Sequence, residues 1–91
     1  MAGLAAVLRR AMKVKLKHNL WADVVDLAEA SKVCRKYILV EWLGASDWTG
    51  GTIKDDKGRF VGYVSYNGRV WNRMPRNAKP DDKPIWEPLN G

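Results

Sequence analysis

The chain has 91 residues, with 16 Lys or Arg against 10 Asp or Glu and a net charge of +6. That length makes a single domain, 1–91, able to bury about 60–65% of its unfolded surface. A composition 46% hydrophobic and 29% charged excludes a disordered chain, while a lone cysteine (Cys34) and a lone histidine (His18) exclude a disulfide framework and a zinc site of ordinary spacing.

The positive charge is concentrated at one end. Residues 1 to 19 hold five of the sixteen bases and no acid, the first carboxylate being Asp23. Within this basic segment (1–18), Leu4, Val7, Leu8, Ala11 and Met12 recur at spacings of three and four, which predicts a short helix. "KVKLK" then alternates Val14 and Leu16 with Lys13, Lys15 and Lys17, the period of a strand or else a helix with one strongly basic face. Arg9 and Arg10 break the apolar start too early for a secretory signal, and the lack of Ser or Thr before Ser31 opposes a transit peptide. No apolar run approaches the ~20 residues of an integral membrane segment. A reducing, cytoplasmic location is expected, with organelle import left open.

Asn19 reads as the N-cap of a second helix, 19–36. Its stripe is Leu20, Val24, Leu27, Ala28 and Ser31, with Lys32, Arg35 and Lys36 near its C-terminal carbonyls. "YILVEWL" (37–43) is rich in β-formers and apolar on both sides, which predicts an interior strand. Further strands follow at "TIK" and "RFVGYVSY", joined through Gly58. Asn67-Gly68 in "SYNGRVW" predicts a two-residue type I′ hairpin. After Met74, four prolines in fourteen residues predict an extended tail, 75–91, with Ile85, Trp86 and Leu89 folding back on the sheet. The expected fold is α+β, with one or two N-terminal helices on a three- to four-stranded antiparallel meander over 37–74, and an extended proline-rich tail.

A two-residue turn at Asn67-Gly68 pairs Val64 with Trp71 and puts Phe60, Val64, Tyr66, Arg69, Trp71 and Arg73 on one face. Tyr66, Arg69, Trp71 and Arg73 then form an aromatic and guanidinium ribbon on which bases can stack. Arg9, Arg10, Lys13, Lys15 and Lys17 supply phosphate contacts. No catalytic grouping is expected. His18 has no partner at a meaningful spacing, Cys34 has no nearby histidine, and "TGGT" lacks the lysine and helix of a phosphate loop. No cofactor or metal is implied.

The expectation is therefore a non-enzymatic basic binding module that contacts nucleic acid or a nucleoprotein complex. Two alternatives stand beside it. One is a small inhibitor of the kind that phages and mobile elements encode, anti-CRISPR proteins among them, which occludes a protein surface; this is an analogy of size and style. The other is an accessory subunit of a larger assembly, supported by five tryptophans in so short a chain. An acidic protein surface is a further partner that the charge suits.

Overall fold

In a computed structural model, which describes residues 11–89, the alternation of "KVKLK" belongs to a strand, β1 (Met12–Lys17). The predicted first helix lies almost wholly outside the described residues, and its last member, Met12, opens β1. A turn at His18 and Asn19 returns the chain as β2 (Leu20–Val24), antiparallel to β1 with Val14 opposite Ala22. Asn19 is therefore not an N-cap. It sits at φ 63°, a left-handed conformation that asparagine tolerates better than most residues.

The helix expected over 19–36 begins and ends later, as α1 (Leu27–Val40). Its N-cap is Asp26, whose side chain accepts the Glu29 N–H at 2.8 Å, while Glu29 reaches back to accept the Val25 N–H at 2.8 Å. Asp26 thereby satisfies one of the N–H groups that helix geometry leaves orphaned, and Glu29 ties down the residue that precedes the cap. At the other end, residues 37–40 are the last helical turn and not an interior strand. Leu43 N–H donates to the Ile38 carbonyl at 3.0 Å and Trp42 N–H to that of Leu39 at 3.4 Å. These bonds form a Schellman closure, with Trp42 at φ 57° in the position that glycine usually takes.

The remaining strands are β3 (Thr52–Asp55), β4 (Phe60–Val64) and β5 (Val70–Trp71). The α+β class holds, but the sheet has five antiparallel strands in the order β2-β1-β3-β4-β5, because the lysine-bearing segment contributes a hairpin of its own. Since β2 and β3 both pair with β1, α1 carries the chain over one face of the sheet from one neighbour of β1 to the other. That face holds Val14, Val24, Ile53, Val64 and Val70, all fully buried against Ala30, Cys34 and Ile38. Burying each large aliphatic side chain contributes about 1.5–3 kcal/mol. Trp48 closes the core, its indole N–H donating to the Val64 carbonyl at 2.9 Å.

Two details fix the sheet. Gly51, at φ 105°, donates to the Lys15 carbonyl at 2.7 Å and accepts from Val64 N–H at 2.8 Å, so it stitches β1 to β4 beyond the end of β3. A Cβ there would lie 2.3 Å from the Val64 oxygen, so only glycine fits. The β4–β5 turn is a three-residue loop, Tyr66-Asn67-Gly68, and not the expected two-residue one. Ser65 N–H donates to the Arg69 carbonyl at 2.9 Å, and Gly68 alone in the turn takes a positive φ, 92°. The register is thereby one residue from that expected, with Tyr63 opposite Trp71 and Val64 opposite Val70.

Beyond β5 the chain makes a short 3₁₀ turn at Pro75–Asn77 and returns to the edge of β5. Ile85 N–H donates to the Val70 carbonyl at 2.7 Å, and Val70 N–H to that of Trp86 at 2.9 Å. Trp86 packs against the core, whereas Leu89, expected to cover the sheet, is fully exposed.

Candidate nucleic-acid interface

Strand alternation decides what the solvent face of the sheet displays. With Val14, Val24 and Ile53 turned to the helix, Lys13, Lys15, Trp21, Asp23 and Lys54 are turned away from it. Lys13 stands directly opposite Asp23 on β2 and Lys54 on β3, and Lys15 opposite Trp21. Phe60 is opposite Lys54, and Tyr63 is opposite both Thr52 and Trp71. Lysines thus occupy the middle strands of this face, with Trp21 on one flank and Phe60, Tyr63 and Trp71 on the other.

The centre of the patch is unusual electrostatically. Like charges directly opposite across a strand pair are destabilising, and Lys13 and Lys54 are such a pair. Their Nζ atoms lie 5.3 Å and 5.6 Å from the centroid of the same Trp21 ring, so its π face attracts both cations. Among the described residues, neither lysine forms an ion pair with a carboxylate.

The predicted ribbon is only partly assembled. The one-residue register change puts Trp71 on the face of Tyr63 and not of Val64. Trp71 and Arg73 do come together, lining one cleft with Tyr63. Tyr66 is drawn away to the helix: its hydroxyl donates to the Leu43 carbonyl at 3.1 Å and its ring lies 5.3 Å from the Arg35 guanidinium. Ser31 hydroxyl, buried, donates to the Gly68 carbonyl at 2.6 Å and clamps the same turn to α1. Arg69 is paired with Glu87 at 2.9 Å, and Arg73 Nε with Asp82 at 3.2 Å, so both arginines are held by carboxylates of the tail. Lys13, Lys15 and Lys17 lie on β1 as described; Arg9 and Arg10 lie outside the described residues.

Trp21, Lys54 and Tyr63 were absent from the sequence-based set. The signal that would have found Trp21 is the alternation of Leu20, Ala22 and Val24 with Trp21 and Asp23, which matches "KVKLK" in period. The Asp82 carboxyl is held below the usual carboxylate range, first by accepting the Lys79 N–H at 2.9 Å and then by Arg73. Cys34 is fully buried and its thiol is pushed up to about 12 by loss of solvent, so it stays protonated at neutral pH. Among the described residues, no group of three or more His, Cys, Asp or Glu is placed to hold a metal ion, and no helix is long and apolar enough to cross a membrane.

Comparison with family models, with curated proteins and with solved structures returns no match for this chain.

Proposed function

We propose that the protein binds single-stranded nucleic acid across the solvent face of its sheet. The observation that carries this reading is the Lys13–Lys54 pair: two cations set opposite each other over the ring of Trp21, neither in ion-pair contact with a carboxylate although Asp23 stands across from Lys13. A phosphate between them relieves their repulsion, and the aromatic flanks offer π surfaces to bases of any sequence. The class of ligand is the one that the basic N-terminal segment suggested. Of the expected ribbon Trp71 is kept as a stacking residue, and Trp21, Phe60 and Tyr63 take the place of Tyr66 and Arg69.

Fluorescence anisotropy of labelled single- and double-stranded oligonucleotides at low and moderate salt tests this. Affinity is expected to favour single strands and to fall steeply with salt. Trp21→Ala is expected to cost about 1–3 kcal/mol of binding. Absence of binding at low salt would sink the reading.

A second reading, contact with a protein partner, is favoured by a different feature. Trp42 is 92% exposed in its left-handed position, beside Leu39 at 67% and Val40 at 61%. A strained, solvent-facing tryptophan on an apolar helix end is the form that interface anchors take. It supports the inhibitor or subunit alternative, and Trp42→Ala would weaken capture of such a partner without altering oligonucleotide affinity.

A further inference from the structure

A recess lies beside the lysine stripe, not on it. It is a cleft of about 430 Å³ between the solvent face of β4 and β5 and the returning tail. Tyr63 and Trp71 line it from the strands, Pro75 and Pro80 from the tail, and Arg73 and Lys79 are its two cations. That volume lies within the range of sites that enclose small organic ligands.

Three features give the cleft a chemical preference. Its surface is mainly apolar and includes two aromatic rings on neighbouring strands, which suits a planar ring system. Its charge is one positive in excess, since Arg73 and Lys79 face the single acid Asp82. It is also braced. Trp71 indole N–H donates to Ser65 Oγ at 3.3 Å, while Asp82 holds Arg73 and turns the tail by accepting Lys79 N–H. A planar aromatic group that carries an anion matches this lining, and Tyr63 in its wall stands opposite Thr52 on β3, the strand that carries Lys54.

We infer that the cleft takes one nucleotide unit, its base against Tyr63 and Trp71 and its phosphate at Arg73 and Lys79. As part of a bound strand this rests on the proposed function, but the cleft is testable alone. The experiment is an NMR titration of the ¹⁵N-labelled protein with adenosine monophosphate, following the indole N–H signal of Trp71, assigned by its loss in Trp71→Phe.

Adenosine monophosphate is expected to move that signal and the amides of Ser65, Arg73 and Lys79, with an affinity about tenfold or more above that of ribose 5-phosphate, the value of one stacked base. Ala78→Trp, an exposed tail position lining the cleft, should fill it and abolish the response without touching the core. Equal responses to the two phosphates would overturn the inference. So would an unchanged response in Ala78→Trp, or an equally strong one to uncharged N-acetyl-tryptophanamide, which would point to a protein aromatic instead. Lys13→Gln with Lys54→Gln separates the two readings. It is expected to abolish oligonucleotide binding and leave the mononucleotide response intact. Wild-type oligonucleotide binding without any mononucleotide response would leave the sheet-face reading standing and remove this one.

Discussion

The two faces of the sheet come from the same strands and share almost nothing else. Toward the helix stand Val14, Val24, Ile53, Val64 and Val70, with no solvent contact at all. Toward solvent, at the alternate positions of each strand, stand Lys13, Lys15, Trp21, Asp23, Lys54, Tyr63 and Trp71. The inner face carries the free energy of folding. The outer face gathers three lysines against the single acid Asp23 beside aromatic rings, an arrangement that folding alone does not require. Stability and binding should therefore separate by the parity of the residue along each strand.

The largest effect is expected where both faces depend on one atom. Gly51→Ala places a methyl against the Val64 carbonyl at a positive φ and should cost roughly 4 kcal/mol in denaturant unfolding, breaking either face. Ile53→Ala empties the inner face alone and should cost about 3 kcal/mol, with oligonucleotide affinity unchanged under conditions where the variant is folded. Trp42→Gly should do the opposite of a core deletion. Relieving a left-handed tryptophan is expected to raise stability by about 1 kcal/mol, while protein capture through that helix end is lost. Lys54→Glu replaces a like-charge pair by an opposite one, so it should add about 0.5 kcal/mol in the same unfolding assay and abolish oligonucleotide binding. A loss of stability in Lys54→Glu would show that the outer lysines are structural.

Titration sharpens the same contrast from two directions. The Asp82 carboxyl is depressed below its ordinary 3.8, so its contribution is present above that value and lost as pH falls through the folded-state value. Acid should thus loosen the tail beside the cleft, read as loss of the mononucleotide response. The Cys34 thiol is raised from 9.0 to about 12, so the unfolded chain releases that proton first. Its contribution is full below 9.0 and is lost as pH rises from there toward about 12, a decline that Cys34→Ala should make shallower.

Much of this architecture was legible and some of it was ambiguous for identifiable reasons. The period of two in Lys13 to Lys17 is that of β1, and the left-handed turn at Gly58 follows from the residue type. Leu20, Val24 and Leu27, however, satisfy a helical stripe while Leu20, Ala22 and Val24 satisfy a strand, and pairing with β1 decided between them. The capping pattern at Asp26 and Glu29 was the local mark of where the helix truly starts. "YILV" has strand propensity, but it continues a helix already nucleated, and tertiary context overrides propensity. The candidate site depended on a single residue of register. Asn67-Gly68 suits a two-residue turn, yet Asn67 is not left-handed here; its carboxamide oxygen accepts the Ser65 hydroxyl, and the loop takes in Tyr66. That slip moved Trp71 to Tyr63 and gave Tyr66 to the helix. The pairing of Arg69 and Arg73 with tail carboxylates had no sequence signal, because partners eighteen and nine residues away are set by how the tail returns.

The position of β1 in the sheet also bears on how the chain assembles. As a newly made chain lengthens, β1 and β2 can close as a hairpin at once, but β1 gains its other neighbour only when Ile53 arrives opposite Val14. Until then a strand with a valine-bearing apolar face offers an open edge to any similar chain nearby. Lys13, Lys15 and Lys17 alternate along that strand, and edge lysines deter such mispairing. The charge proposed to grip phosphate would therefore serve the nascent chain first, by keeping one copy from zipping onto the next.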